Sequence, residues 1–415
     1  MANAYKYQFN PDELVSQLYQ RGLVNSDGTS VFIQTLIDEK IVMDANQFFW
    51  QEHFTVDGGK YPIDMSRPKL DPAYTIYNVT RRPVPMADAM TPLSEVAQMD
   101  NEGWEQRTGT IPQFGKGLFE TSLSKEELKA RLNELGEANA TLLEGYVRGV
   151  ADLIKTHNYR LSNIAAQALS KGGQYNNADS RGMSGVVHEF PKYVPTENFV
   201  KAGKEVWTNA EANIPEQMAK IEKDFRDRTG FTGTMEWDLP YDMVITHLLN
   251  NKYFKEEVNR WIRLYAPDKV IVVTNGASGI DTNIISWEQL IQYSRSSVSK
   301  ISPIRIVKEE QVVQDIKTIK TVQGWKAGVA VLRPIGFAGR VVHSDVADVI
   351  LLQREANKTI DYSIASAQND LVYIINKVVP NGIYKAYHTD AIGRYMPVLT
   401  EFMEHIVVDT LTADS

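Results

Sequence analysis

The chain has 415 residues, 43% of them hydrophobic and 23% charged, which describes a folded globular protein larger than one ordinary domain. Lysine and arginine total 44 against 52 aspartates and glutamates, a net charge of −8, so the surface as a whole is not built to grip nucleic acid. There is no cysteine, which excludes disulfides and thiolate metal sites.

The opening MANAYKYQFNPDELV lacks the charged-then-apolar pattern of a secretory signal. No apolar run approaches the ~18–20 residues that cross a bilayer. A cytoplasm-like setting is expected, and the sequons at Asn78, Asn139 and Asn357 read as chance matches. Residues 11–53 read as two helices, PDELVSQLYQRGL and SVFIQTLIDEKIVMDANQFFWQEH. From Gly58 to Gly117 the texture changes, with many prolines and glycines and few periodic apolar runs. Loops average a handful of residues, so this stretch reads as a meandering coil or as an extended arm ordered by a neighbouring subunit.

Ser124 to Glu127 forms a capping box, with a hydroxyl at the N-cap and a carboxylate three residues on. Leu128, Leu132, Leu135, Leu142, Tyr146, Val150, Leu153, Leu161, Ile164 and Ala168 then keep a period near 3.6, and Gly172-Gly173 closes the run. One unbroken helix would span roughly 70 Å at 1.5 Å per residue. A break at Gly136 leaves a long helix from about Asn139 to Lys171. A turn-rich, hairpin-like stretch, QYNNADSRGMSGVVHEFP, follows. Next comes a helix with Ile214, Met218, Ile221 and Phe225 on one face, and then two helical pieces joined at Asn250-Asn251. Strands are expected at VIVVT, PIRIVKE, VVQDIKTIKTV, GVAVLRPIG and DVILLQ, before a strand-rich tail. The class is α+β.

The stretch VIVVTNGASGIDTN, residues 270–283, followed by a helix-like SWEQLIQYSRSS, has the order of a dinucleotide loop. It carries only Gly276 and Gly279, with Asn275 and Asp281 where a fingerprint wants glycine, and Asp281 would repel incoming phosphates. It reads as a surface turn. The seven histidines show no metal-ligand spacing, and His157, on the apolar stripe of the long helix, reads as a packed, hydrogen-bonded side chain. Ser184 lies between glycines without nucleophile-elbow spacing, and there is no phosphate-binding P-loop. No catalytic, cofactor-binding or metal-ligating residue is nominated, and no cofactor is expected.

The order of the pieces resembles the lambda-like (capsid E) family of tailed-bacteriophage major capsid proteins. In that family a long spine helix ends in a pattern close to A-A-Q-A-L-x-x-G, similar to Ala165–Leu169 and Gly172 here. A tryptophan, a polar loop and a helix ending in T-G follow, similar to Trp207, Ala212–Pro215 and Thr229-Gly230. A helix pair resembling YDMVITHLLNNKYFKE comes next, and later a strand similar to Val329–Pro334 with Gly336. The resemblance covers roughly residues 60–350.

It implies the tailed-phage capsid fold: an N-terminal arm (1–57), an extended loop region (58–123), a spine helix with the first part of a peripheral domain (124–190), an axial domain (191–345) and a return to the peripheral domain (346–415). It implies a subunit that self-assembles into hexamers and pentamers of an icosahedral virion shell, assembled in the host cytoplasm. Expected partners are other copies of the chain, a portal protein, scaffold and decoration proteins, and packaged double-stranded DNA held without sequence specificity; no membrane is involved. Trp104, Phe114, Leu118 and Phe119 are the expected contacts between subunits. Lys116, between Gly115 and Gly117, is expected to be a solvated lysine at a loop tip rather than a crosslink donor. Two other readings are an encapsulin-like compartment shell and a nicotinamide-dependent oxidoreductase using the 270–283 loop.

Overall fold

The structure is a computed structural model that describes residues 34, 37, 47–61, 72–80, 103–120, 138–173, 193–269, 273–274, 280–281, 284–309, 312–315, 320–354, 362–381 and 384–413. Most of the two expected N-terminal helices, the capping box at Ser124, the stripe residues Leu128, Leu132 and Leu135, and the hairpin-like 174–191 lie outside these residues.

In chain order, α1 (Phe49–His53) runs into β1 (Phe54–Tyr61), followed by β2 (Ala73–Thr80), β3 (Gly103–Thr110) and β4 (Gln113–Glu120). The long helix α2 (Ala138–Ser170) precedes β5 (Phe199–Ala202), α3 (Ile214–Thr229), β6 (Met235–Pro240) and α4 (Lys252–Tyr265). Then come β7 (Val273–Thr274), β8 (Ile280–Asp281), α5 (Trp287–Ser294), β9 (Ile304–Val307), β10 (Val312–Asp315), β11 (Lys320–Val322), β12 (Val329–Pro334) and β13 (Gly339–Ser344). The chain finishes with α6 (Ala347–Arg354), β14 (Tyr362–Ala367), β15 (Val372–Asn381), β16 (Tyr384–Leu399) and β17 (Ile406–Ala413). The α+β class is as expected.

Two larger sheets organise the molecule. The first has the order β1-β13-β16-β15-β14, with β4 also paired to β16. The second has the order β5-β17-β12-β6-β9. Helix α2, about 50 Å long at 1.5 Å per residue, lies against the first sheet. Its stripe of Val150, Leu153, Ile154, Leu161, Ile164, Ala165, Ala168 and Leu169 is buried in one core with Ile374, Ala391, Tyr395 and Val398. The helix ends where two successive left-handed residues are required. Gly172 and Gly173 have φ of 69° and 87°, and the Gly173 N–H reaches back to the Ala168 carbonyl at 2.5 Å. A Cβ on Gly173 would collide with the Tyr193 ring, so glycine is fixed by space as well as by φ.

The second sheet is a wall between two cores. Along β12, Val329 and Val331 face the core of α2, whereas Ala330 and Leu332 face a second core with α3, α4 and α5. Along β17, Val407 faces the first core, and Ile406 and Val408 the second. Period-two alternation between two apolar sides explains why these strands read as unbroken apolar runs. The second core is closed by capped helices: Asn213 Oδ1 accepts from the Glu216 N–H at α3, and Asn251 Oδ1 from the Phe254 N–H at α4.

Three expectations are corrected. DVILLQ belongs to helix α6, not to a strand. Val346 and Val349, three residues apart, share a face packed on Ile364, Tyr373 and Ile375, and Asp348 sits favourably in the first turn. The stretch 58–117 is not coil: its described residues contribute to four strands, of which β1 pairs with β13 and β4 with β16. The expected boundary at 345/346 is crossed from both sides, because β13 belongs to the first sheet and β17 to the second.

Candidate functional site

For a protein expected to work through its surfaces, the first question is which parts are committed inward. Tyr74, Ile76 and Ile111 are buried in the core of α2, and the Tyr74 and Tyr193 hydroxyls hydrogen-bond to each other. The β2–β3 ribbon therefore starts from a fixed root. Asn78 Nδ2 donates to Glu404 Oε2 at 3.2 Å, and Arg107 lies over the Phe402 ring at 5.5 Å. Beyond that root the ribbon pairs with no other strand among the described residues, and Tyr77 is 61% exposed. Two-stranded ribbons are marginal in water without support.

Trp104 lies on β3 opposite Val79, one step from the far end of the described ribbon. Phe114 is elsewhere: on β4, opposite Gly393, it stacks on Tyr395 at 5.2 Å and sits beneath the Arg160 guanidinium at 5.8 Å. Those contacts are within its own chain. Leu118 and Phe119 pair through their backbones with Thr389 and His388 on β16. The structure thus separates Trp104 from the other three. Lys116 is an exposed residue in the middle of β4, opposite Ala391, and not at a loop tip.

The 270–283 stretch can also be placed. Val273 and Thr274 pair antiparallel with Asp281 and Ile280, so the chain turns back on itself as a ribbon. A dinucleotide loop passes from a strand directly into a helix. Here the next helix, α5, starts at Trp287 after the return strand, with Ser286 and Gln289 forming its capping box. Residues 275–279, including both loop glycines, lie outside the described residues.

Solved structures similar to this chain include a putative capsid protein of a prophage of E. coli CFT073, 12% identical over 92% of this chain and 98% of that chain, with a TM-score of 0.49. A phage-related protein from Bordetella bronchiseptica RB50 is 10% identical over 92% of this chain and 96% of that one, TM-score 0.43. The capsid asymmetric unit of cyanophage A-1(L) is 11% identical over 90% and 94%, TM-score 0.44. No family model matches the chain, and no curated protein matches it.

Charge is buried at one seam that the sequence did not nominate. Arg333 on β12 and Asp238 on β6 are 1% and 0% exposed, and Arg333 Nε donates to Asp238 Oδ2 at 2.6 Å. The same guanidinium meets Glu236 Oε1 at 2.7 Å and donates to the Pro334 and Gly336 carbonyls at 2.9 and 2.7 Å. Burial pushes the Asp238 carboxyl up, but the Arg333 guanidinium outweighs it and holds it below the ordinary carboxylate range. Burial keeps Glu236 above that range despite Arg333. The signal was a charged residue within each of two apolar strand sequences, MEWDLP and VAVLRP, where water cannot reach and a partner is obligatory.

Histidines mark the other seams. His157 on α2 donates from Nε2 to the Ala391 carbonyl of β16 at 3.0 Å and takes the Tyr395 hydroxyl on Nδ1 at 2.9 Å. His405, leading into β17, bonds through Nε2 to the Leu169 carbonyl at 2.8 Å. The expectation for His157 thus holds. Burial lowers both rings from 6.5 to about 4. Their folded pKa lies below the unfolded one, so their contribution is complete above pH 6.5 and is lost as pH falls toward about 4. Stability should therefore decline on acidification by ~1.4 kcal/mol per group per pH unit in that window. Denaturant midpoints measured across it should show the slope, and His157→Gln should reduce it; a flat profile would contradict the assignment.

Proposed function

We propose that this chain is a structural subunit of the tailed-phage major capsid kind, self-assembling through hexamers and pentamers into an icosahedral shell around double-stranded DNA. One observation carries the reading: the residues of the capsid-like sequence pattern fall at the structural positions where their chemistry is needed. Ala165, Ala166, Ala168 and Leu169 are the fully buried last turns of α2, and Gly172 is the left-handed residue that ends it. Trp207 is buried in the second core, where it lies 6.0 Å from Trp237. Gly230, of Thr229-Gly230, is the left-handed C-cap of α3, with φ of 68°. Pro334 closes β12 at the turn clamped by Arg333. A pattern shared by chance would not track helix ends, caps and strand ends in this order.

In this reading the β2–β3 ribbon, with Trp104 near its far end, reaches a neighbouring subunit and gains there the support it lacks alone. Phe114, Leu118 and Phe119 contribute to subunit contacts from β4, along the outer part of the first sheet. Portal, scaffold and decoration proteins are the partners of such a shell, and the −8 net charge suits an inner wall that must not hold packaged DNA tightly. The function needs no cofactor and no catalysis.

Sedimentation and negative-stain microscopy of the purified full chain test the proposal. Closed particles many subunits in size are expected, and Trp104→Ala should lower their yield while leaving the free subunit's unfolding unchanged. A chain that stays monomeric across assembly conditions would overturn the reading.

A further inference from the structure

The buried charge at the β6–β12 seam has a member from the N-terminal segment. His53, the last residue of α1, is 0% exposed, and its carbonyl accepts the Ala338 N–H at 2.8 Å. Its ring lies against that of Phe49, with centroids 4.4 Å apart and planes tilted by 40°. Its Nδ1 lies 3.5 Å from a terminal nitrogen of Arg333 and 3.9 Å from Asp238 Oδ2. A guanidinium nitrogen can only donate, so Nδ1 must be the acceptor and the ring proton sits on Nε2. Nε2 has no hydrogen-bond partner, nor does Asp238 Oδ1, among the described residues. A second proton could therefore enter only at Nδ1, where it would face the N–H of Arg333.

We propose that this cluster is an acid-operated latch, in which protonation of His53 releases the end of α1 from the five-stranded sheet. Every element around the ring bears on the outcome. From β6, Asp238 attracts the proton and Glu236 is engaged by Arg333. From β9, Arg305 repels it while holding Glu52 of the segment at 3.2 Å and Glu236 at 3.6 Å. From β12, Arg333 repels it at closest range. Glu401 and His405, on the chain leading into β17, act on the same guanidinium. Burial is the largest influence and decides the balance: it lowers the His53 ring from 6.5 to about 3.

The sign follows directly. The docked ring refuses a proton that the released ring takes, so docking is strongest above pH 6.5 and weakens as pH falls toward about 3. Release becomes about tenfold more favourable per pH unit within that window. The same contacts brace the turn after β12: Arg333 holds the Pro334 and Gly336 carbonyls, and His53 holds the Ala338 N–H. That turn presents Ile335 and Phe337 to solvent at 51% and 55% exposure. The latch therefore controls the N-terminal segment and an apolar surface turn together, in the free subunit, whether or not the chain builds shells.

Deuterium exchange of the 49–54 segment and of the Ala338 N–H that donates to the His53 carbonyl, in the full-length free subunit and corrected for the intrinsic pH dependence of exchange, tests the latch. Wild-type protection should fall about tenfold per pH unit below 6.5, and His53→Gln, an acceptor that cannot charge, should abolish that dependence. PH-independent wild-type protection, or an equal fall in both proteins, would overturn it. Should His53→Gln not fold, ring-labelled histidine in the wild type gives the answer. A His53 resonance that titrates together with the loss of protection supports the latch, and one that stays constant while protection falls refutes it.

Discussion

Leu153→Asp should abolish recovery of the folded subunit. Leu153 is 2% exposed on the inward stripe of α2, in the core that joins the helix to the first sheet and to the wall of β12 and β17. The substitution forfeits ~1.5–3 kcal/mol of side-chain burial. It also places a carboxylate among apolar core neighbours, which costs several kcal/mol more unless the group takes up a proton. A domain has only ~5–15 kcal/mol in hand. Leu153→Met, which conserves volume, should cost less than about 1.5 kcal/mol and retain the fold. Soluble yield and the thermal midpoint separate the two, and a wild-type midpoint for Leu153→Asp would mean that this face of α2 is not a core seam.

The second large effect is expected at the buried cation. Arg333→Met should destabilise by roughly 3–5 kcal/mol, because it leaves Asp238 charged and buried without its closest partner. The Pro334 and Gly336 carbonyls lose their donors in the same step. Adding Asp238→Asn to Arg333→Met should recover part of that loss, since the stranded charge is then removed. A double-mutant cycle by chemical denaturation measures the coupling. Additive effects would show that the pair contributes little beyond its separate parts.

Local signals carried the sequence reading, and long-range pairing limited it. The end of the long helix was legible to within a residue, because its apolar period and its glycine pair are both local, whereas the expected break at Gly136 lies outside the described residues. The inward face of α3, with Ile214, Met218 and Phe225 buried, and the junction at Asn250-Asn251 before α4 were legible for the same reason. Strand partners were not: Phe54 lies opposite Gly339, and Phe199 opposite Val407, and no local pattern encodes such separations. That is why 58–117 looked irregular. Its strands mix glycine and polar residues, as in GWEQRTGT and QFGKGLFE, and β1 and β4 are held by partners far along the chain. The buried charge was missed because a charged residue or two in an apolar strand looks ordinary until register puts Arg333 opposite Glu236, with Asp238 two residues on.

The place of β17 in the wall has a consequence for timing. Residues 406–413 leave the ribosome after every other described residue, yet they fill an inner position of the sheet, between β5 and β12. Until they arrive, β5 has no neighbour in that sheet, β12 has an open edge, and both cores lack a side. Chains usually fold from the N-terminus as they emerge, but neither half of this interior closes before β17 has emerged. Competence to meet other copies is thus withheld until β17 has joined its sheet. On a polysome, where many identical chains grow side by side at high local concentration, that delay keeps unfinished copies from being built into anything.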